Sequence, residues 1–419
     1  MPAAQRTMEK KKFKFTVPHV FVILAIIMLL VFIVSFFVPS GNFERVLDEN
    51  SGREIVNPDV FNWVEKQYLT FSDYFQSFYN GIVGGISIMG NLLICSGVLG
   101  FLESTGAFSA GIHKLVRATK GKEISLVVIM YVLFTVFGVL GYGEGAYPFY
   151  GLATAVIMSA GYDRMTGAAA VLLGSRGSFA CGMLNMFTTG VSQQIVGLPI
   201  FSGMWYRFIV LVVFFTIGLI FLVRYANRSR KDPTKSYCYE EYKNQDASAS
   251  IGEEVPMTWK RVVALVGFVA LIVIQGYGCV ALKWSFPNIT ALYIIFMILL
   301  AILFQVGPTE TCNRFTAGAA RVLGPALAIG FANSVMVLLN KANIMDTLVY
   351  YMGNALQGKS PMVTLLIIYI FVTALNFFVV SGSGKAVMMM PILSPLGQML
   401  GINQQVMVLT YQLGDGLTN

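Results

Sequence analysis

The chain has 419 residues, of which 56% are hydrophobic and only 12% are charged. Soluble domains carry roughly a quarter charged residues, so this chain has too little polar surface to form a water-soluble globule. A mean hydropathy of +0.69 agrees with that conclusion. We therefore expect one membrane-embedded body whose outer surface is solvated by lipid rather than water. The net charge of +8 does not indicate nucleic-acid binding, because the basic residues gather beside apolar runs.

The sequence lacks the motifs of an intramembrane enzyme or a metal protein. It contains no His-Glu-x-x-His pair, no Gly-x-Ser-x-Gly elbow and no Cys-x-x-Cys. The five cysteines are scattered without metal-ligand spacing, which is typical of reduced, packed thiols. We expect neither an enzyme nor a bound cofactor or metal, and only Na+ or H+ as a coupling ion.

The first apolar run spans residues 20–38 and carries no charge. Residues 1–19 before it are rich in lysine. In residues 39–78 after it, acidic residues outnumber basic residues. A run of this length crosses a bilayer core of about 30 Å as a helix. The positive-inside rule places the basic N-terminus in the cytoplasm and the acidic loop outside. We expect a retained first transmembrane helix in the cytoplasmic (inner) membrane of a cell.

A polar segment, residues 224–261, divides the rest of the chain into two halves. It begins with several basic residues, and apolar runs precede and follow it. The charge distribution predicts that this linker is cytoplasmic. Residues 79–223 then form the first half and residues 262–419 the second. The sequence therefore predicts an all-α multi-pass membrane protein.

Several landmarks of the first half recur in the second. Gly161 and Gly174 of the first half correspond to Gly401 and Gly414 of the second half, each 240 residues later. Each half also has a glycine-rich break inside an apolar run. Matched landmarks at one spacing indicate an internal repeat. Because the first copy begins from the cytoplasm and the second from outside, we expect the two repeats to be inverted.

The glycine-rich breaks predict two re-entrant helical hairpins. Residues 124–161 form the first, broken at 141–145, and residues 361–401 form the second, broken at 381–385. Non-helical backbone at membrane depth is tolerated only where protein buries it or a water-filled cavity reaches it. Inverted repeats with interrupted transmembrane helices at matching positions indicate the central site of a secondary transporter.

Glu144 stands at the break of the first hairpin and is the only acidic residue between Glu123 and Asp163. A charge at the bilayer centre costs at least a few kcal/mol unless it is paired or hydrated. One interpretation is a carboxylate that is satisfied by the free N–H groups at a helix start. The other, which we favour, is a carboxylate that meets a substrate ammonium or a coupling cation.

Lys385 follows Ser381 and Ser383 at the break of the second hairpin. Together with the free N–H groups of the helix that starts there, it predicts an anion-attracting tip. A phosphate loop does not fit, because Ala386 rather than Ser or Thr follows the lysine. A lysine that extends its ammonium group to the membrane interface, or that forms an ion pair with Asp415, is the alternative that the sequence leaves open.

The span after the first hairpin is rich in glycine, hydroxyl and amide residues. Such residues weaken a helix and free carbonyl groups for a cation or a polar substrate. Close packing between helices is the competing explanation. Arg176 in the same span requires a partner, for which Glu144 and a substrate carboxylate are the candidates. The predicted substrate-binding residues are Glu144, Arg176, Asn185, Thr188, Thr189, Ser381, Ser383, Lys385, Asp415 and Asn419, and the predicted cation-binding residues are Gly143, Asn185, Gly382 and Thr418.

Ordered segments along nearly the whole chain resemble a known family. They are residues 15–19, 38–45, 144–150, 184–207, 381–401 and 412–419. They resemble YfcC-type membrane transporters, which are related to the C4-dicarboxylate anaerobic carriers (DcuC) and to arginine/ornithine antiporters. The resemblance implies an ion-transporter-type fold with a scaffold and a transport domain, an elevator movement and a homodimer. It also implies a site lined by Glu144, Asn185, Thr188, Ser381, Ser383, Asp415 and Asn419.

The chain also departs from the pattern of similar proteins. They tend to have a second acid where Gly145 stands and a small residue where Arg176 stands. One carboxylate fewer and one guanidinium more would weaken a site for a dibasic cation. The sequence ends at Asn419 inside an apolar helix, where similar proteins continue. We therefore expect an incomplete chain or an unfinished second site.

The mixture of acidic and basic residues at the predicted site suits a small metabolite that bears both signs of charge. We expect a secondary active transporter, either an antiporter or a cation-coupled symporter, for an amino acid such as arginine or ornithine. A C4-dicarboxylate is the second candidate substrate. A channel or a non-transporting membrane receptor is the alternative of another class.

Overall fold

The protein is described as a computed structural model that covers residues 19–48, 53–118, 123–141, 153–158, 160–240, 255–376 and 381–418. Six of the described helices are long and apolar enough to cross a membrane. They are Phe71–Ser104, Arg164–Val196, Met204–Lys231, Trp259–Cys279, Phe286–Phe304 and Leu323–Lys341, and three shorter apolar helices are Val20–Ser35, Glu123–Val139 and Pro361–Leu375. The described residues therefore form a helical, multi-pass membrane protein.

The N-terminal part combines two helices with a pair of strands. Helix α1 spans Val20–Ser35, strands β1 and β2 span Gly41–Asp48 and Arg53–Trp63, and helix α2 spans Phe71–Ser104. The strands pair antiparallel. The polar segment that the sequence predicts as a loop thus contains a small sheet.

The small sheet is held against a helix that lies far away in the sequence. Phe43 is paired with Phe61 in the strand register, and the ring of Phe61 stacks on Tyr350 with 4.3 Å between the ring centroids. The Asp346 carboxylate accepts hydrogen bonds from the Phe43 N–H and from Arg45 Nη2, both at 3.1 Å. Aromatic packing and one buried carboxylate therefore order a segment whose composition suggested only an acidic loop.

The remaining helices follow in chain order. In the first half they are α3 (Ala107–Ala118), α4 (Glu123–Val139), a helical stretch at 153–158, α5 (Arg164–Cys181), a π-turn (Met186–Gly190), α6 (Val191–Val196), α7 (Met204–Lys231) and a 3-10 turn (Pro233–Lys235). In the second half they are α8 (Trp259–Ala281), α9 (Phe286–Phe304), α10 (Pro308–Ala320), α11 (Leu323–Lys341), α12 (Met345–Leu356), α13 (Pro361–Leu375), α14 (Gly382–Met399) and α15 (Gln404–Gly416).

Helix α2 packs against α9, α10 and α11, and these four helices form one group. Glycines allow its close contacts. A methyl group on Gly81 would lie 2.6 Å from the Gly330 carbonyl oxygen, and one on Gly100 would lie 2.4 Å from the Gly318 Cα. Small residues at such crossings let two helix backbones approach in a membrane, where burial of apolar surface gives little driving force.

A second group of helices contains the described helices of the two predicted hairpins and the helices that pack against them. Helix α4 packs against α5, α5 packs against α7, and α13 packs against α15. Helix α14 contacts α6, α15, α11 and α12. It therefore lies between this group and the helices around α2.

A buried carboxylate fixes the start of α5 to the polar linker. Asp163 is fully buried and caps α5 by accepting a hydrogen bond from the Thr166 N–H at 3.0 Å. The Tyr225 hydroxyl donates to the same carboxylate at 2.6 Å, and the Ser236 hydroxyl donates at 2.5 Å. One end of the bundle is thus closed by hydrogen bonds to the Asp163 carboxylate, which also caps α5.

Candidate functional site

The span that contains α5 is interrupted near its middle. Residues 182–185 separate α5 from the π-turn, and Gly182 has φ of +60°, a conformation that glycine adopts without strain. Asn185 Oδ1 accepts hydrogen bonds from the N–H groups of Phe187 at 3.0 Å and Thr188 at 3.2 Å. These bonds restart the helical course after the break. π-turns inside helices are frequent at functional sites.

Helix α15 crosses the interrupted span at the break. A methyl group on Gly416 would lie 2.4 Å from the Ala180 Cα, so the two backbones touch. The Gln412 side chain donates to the Phe179 carbonyl oxygen at 3.0 Å and accepts from the Thr189 hydroxyl at 3.1 Å. The Gln412 amide is therefore a second donor to the Phe179 carbonyl oxygen, which also accepts from the Gly182 N–H at 3.1 Å.

A fully buried ion pair lies on the other side of this crossing. Lys385 Nζ lies 2.6 Å from Asp415 Oδ1, and both side chains have 0% exposure. Lys385 also donates to the side-chain oxygen of Asn376. Asn376 Nδ2 donates to the carbonyl oxygens of Gly414 and Asp415, both at 3.0 Å, and to the Thr418 hydroxyl at 2.5 Å. The network joins α13, α14 and α15 around one positive and one negative charge.

The predicted tip of the second hairpin, residues 381–385, contacts both the interrupted span and α15. The Ser381 hydroxyl caps α14 by accepting a hydrogen bond from the Gly384 N–H at 3.2 Å. The Tyr411 hydroxyl donates to the Gly382 carbonyl oxygen at 2.7 Å. A methyl group on Gly382 would lie 2.8 Å from the Thr188 methyl carbon. The tip is therefore enclosed by protein at the depth of the break.

Three buried polar groups at this place have no hydrogen-bond partner among the described residues. They are Asn185 Nδ2, the Thr188 hydroxyl and the Ser192 hydroxyl, and their side chains are at most 1% exposed. A buried donor or acceptor without a partner is costly and requires an explanation. The end of α4 also arrives here, since a methyl group on Gly141 would lie 2.6 Å from Asn185 Oδ1. These groups are the first candidates for contact with a polar ligand.

The structure brings together most of the residues that the sequence predicts for the site. Those in the cluster are Asn185, Thr188, Thr189, Ser381, Gly382, Ser383, Lys385, Asp415 and Thr418. Arg176 lies on α5 and is partly exposed. Gly143, Glu144 and Asn419 lie outside the described residues. Lys385 makes the ion pair with Asp415 that the sequence leaves open as an alternative to an anion-attracting tip.

Two residues of the network, Asn376 and Tyr411, are not among the predicted site residues. A signal for the first exists, because Asn376 is the only amide or charged residue between Lys359 and Lys385. Nothing in the sequence distinguishes Tyr411 from other tyrosines in apolar helices. In the part of the chain that the structure describes, no three His, Cys, Asp or Glu side chains group together as a metal site.

Two solved transporter structures share the fold of this chain. MtrF of Neisseria gonorrhoeae, from a class of antimetabolite efflux pumps, aligns with a TM-score of 0.65 at 17% identity, covering 96% of this chain and 85% of MtrF. The YdaH transporter of Alcanivorax borkumensis aligns with a TM-score of 0.62 at 17% identity, covering 96% of this chain and 87% of YdaH. At 17% identity this likeness shows a shared fold, and the apolar helices define a multi-pass membrane protein.

The model of the C4-dicarboxylate anaerobic carrier (DcuC) family matches residues 17–419, and the chain belongs to this family. YfcC of Escherichia coli strain K12, provisionally named a basic amino acid antiporter, is 29% identical over 99% of this chain and 89% of its own length. An uncharacterised protein of Haemophilus influenzae is 28% identical over 87% of this chain and 72% of its own length. The resemblance predicted from the sequence is confirmed.

Proposed function

We propose that this protein is a secondary active transporter, either an antiporter or a cation-coupled symporter, for a small charged metabolite. One observation carries the proposal: the interrupted span, the tip at residues 381–385 and α15 meet around a buried ion pair and around buried polar groups that have no partner among the described residues. A charged solute enters the apolar part of a bilayer only where protein groups replace its water. The cluster offers such groups of both signs.

Corresponding local features in the two halves support an inverted repeat as the basis of this site. Gly161 and Gly401 have positive φ, of 83° and 65°, shortly before α5 and α15. A methyl group on Gly174 would lie 2.8 Å from the α4 backbone, and one on Gly414 would lie 3.0 Å from the α13 backbone. Both pairs of glycines are 240 residues apart. Two re-entrant hairpins of opposite orientation are the arrangement that we propose.

The packing of the helices supports a division into a scaffold and a transport domain. We assign α2, α9, α10 and α11 to the scaffold, and α4, α5, α13, α14 and α15 to the transport domain. The second group carries the cluster, so its movement as one body would carry a bound solute with it. We propose that two copies of the chain form a homodimer in the inner membrane, with the N-terminus of each in the cytoplasm. The transport domain would move relative to the scaffold in an elevator movement.

An amino acid such as arginine or ornithine is the substrate that we favour. The name of the E. coli relative supports it, and Asp415 and Lys385 together suit a molecule that bears both charges. Glu144, Arg176 and Asn419 remain predicted substrate contacts. The family name supports a C4-dicarboxylate as the alternative, for which the basic side chains would be the main contacts.

Counterflow in proteoliposomes tests the proposed function. Vesicles loaded with arginine or ornithine are expected to accumulate the labelled amino acid from outside, with saturation, because a carrier binds one substrate per cycle. Fumarate and succinate serve as the competing substrates. Accumulation of a dicarboxylate alone would reject the amino acid, and flux without saturation or exchange would indicate a channel.

Dependence on a sodium gradient at fixed pH separates Na+ from H+ coupling, for which Gly143, Asn185, Gly382 and Thr418 are the predicted cation ligands.

Replacing Gly382 with Ala is expected to reduce counterflow about tenfold. The added methyl group would lie 2.6 Å from an Asp415 carboxylate oxygen and 2.8 Å from the Thr188 methyl carbon, so the tip must shift. A misplacement on the order of 1 Å is enough to disturb a positioned site severely. Gly177→Ala is the matched control on α5, because nothing lies within 4 Å of its added methyl group. Equal rates for the two variants would contradict a site at the tip.

A further inference from the structure

Arg207 is a buried arginine near the membrane face where α6 ends and α15 begins. It lies in the first turn of α7 and is only 2% exposed. Gln193 belongs to the same cluster of side chains and follows Thr189 of the central site by one helical turn, a rise of about 6 Å. Tyr225 lies on the same helix as Arg207 but about 27 Å further along its axis. Arg207 is therefore near the central site and far from the Asp163 end of the bundle.

One edge of the Arg207 guanidinium is used by the surrounding loop. Nη1 donates to the Ser202 carbonyl oxygen at 2.8 Å and lies 3.5 Å from Gln405 Oε1. Gln193 Nε2 donates to the same carbonyl oxygen at 2.8 Å, and its Oε1 accepts from the Phe201 N–H at 2.6 Å. These bonds fix the position of the guanidinium and leave its other edge available.

The other edge has donors without partners. Arg207 Nε and Nη2 are both buried, and neither has a hydrogen-bond partner among the described residues. No ion pair of the described residues includes Arg207. A guanidinium stays charged at every physiological pH, so this charge cannot be removed by loss of a proton. A buried charge requires an opposite charge or hydrogen bonds, and the described part of the chain supplies them on one side only.

We propose that the Nε and Nη2 edge of Arg207 binds the carboxylate group of a small organic acid or amino acid. The two N–H groups on this edge are nearly parallel and match the two oxygens of one carboxylate. In the contacts described above, the neighbours of Arg207 offer no other unused N–H donor. The two donors of this edge can therefore satisfy both oxygens of a carboxylate, whereas a phosphate would have further oxygens without a partner. Arg207 shares the Ser202 carbonyl oxygen with Gln193, which follows Thr189 by one turn, so this is a second site beside the central cluster on the route of the transported metabolite. Only the identity of that metabolite rests on the proposed function.

Ligand-induced thermal stabilisation of the purified full-length protein in nanodiscs tests this site. Arginine, succinate, argininamide, inorganic phosphate and chloride are compared at equal ionic strength. Arginine or succinate is expected to raise Tm, whereas argininamide, phosphate and chloride leave it unchanged. Arg207→Gln is expected to reduce the shift to the part that the central site contributes. Arg207→Lys keeps the charge without the paired donors, so it should weaken the apparent affinity at least tenfold.

Arg224→Gln is the matched control, since Arg224 lies on the same helix and is exposed. It is expected to respond to ligands like the wild type. An equal shift with argininamide or with phosphate, or a full shift in Arg207→Lys, would overturn the proposal. If Arg207→Gln does not fold, the Lys variant and the ligand series still decide. Carboxylate binding that depends on Arg207 without any counterflow would reject transport and leave this site standing.

Discussion

Replacing Asp415 with Asn is expected to lower the free energy of unfolding by about 3–5 kcal/mol, because the buried Lys385 ammonium loses its counter-charge. The two side chains are 2.6 Å apart and fully buried. The hydrogen bonds that Asn376 donates to α15 end on backbone carbonyl oxygens and on Thr418, so this substitution leaves them in place. The loss therefore measures the charge itself. Thermal unfolding in nanodiscs reports it, and counterflow should fall to background.

Removing both charges is expected to be less damaging than removing one. Lys385→Met alone leaves a buried carboxylate without its cation, whereas Lys385→Met combined with Asp415→Leu leaves no charge to compensate. We expect the double variant to be more stable than either single variant and still unable to transport. A double variant as unstable as the sum of the two single variants would show that the pair is not coupled.

An exposed ion pair provides the control for these substitutions. Lys235 Nζ lies 2.9 Å from Asp232 Oδ2, but the side chains are 50% and 39% exposed. Asp232→Asn is therefore expected to leave the free energy of unfolding nearly unchanged. The contrast matters because both pairs have similar geometry, and only the removal from water differs.

The breaks in the helices could be predicted from sequence because their cause is local. Glycine, hydroxyl and amide residues weaken a helix wherever they gather, and the chain is interrupted at residues 182–185, within the predicted region. The predicted tip at Ser381 is likewise the residue that caps α14. Composition and spacing were sufficient in both cases, since no distant residue is needed to stop a helix at glycine.

The partners of the charged residues could not be predicted in the same way. Lys385 and Asp415 are 30 residues apart, and the sequence allowed the lysine either to pair or to attract a substrate anion. Asp346 holds Phe43 and Arg45 from about 300 positions away, so the small sheet had no local signal beyond alternating aromatic residues. Side-chain partners depend on which helices pack together, and periodicity does not specify that packing.

Glu144→Gln is expected to reduce counterflow by about 10- to 100-fold, the factor that corresponds to losing one hydrogen bond or ion pair of a charged group. Glu144 lies outside the described residues, but α4 leads toward it and ends beside Asn185, whose side-chain nitrogen has no partner among the described residues. Gln has nearly the same shape and lacks the charge. The substitution therefore tests whether a carboxylate at this break meets a substrate ammonium or a cation.

Glu123→Gln is the matched control for Glu144→Gln, because Glu123 begins α4, which precedes Glu144 in the sequence, and its side chain is 40% exposed and lies 3.4 Å from Arg230. Counterflow should be close to the wild-type rate in this variant. If Glu144→Gln is inserted, is as stable as the wild type and still transports, Glu144 is a helix cap. If it is stable and inactive, the site needs a negative charge in addition to that of Asp415, whose carboxylate is paired with Lys385. A substrate with an ammonium group would then require Glu144, whereas a dicarboxylate would not.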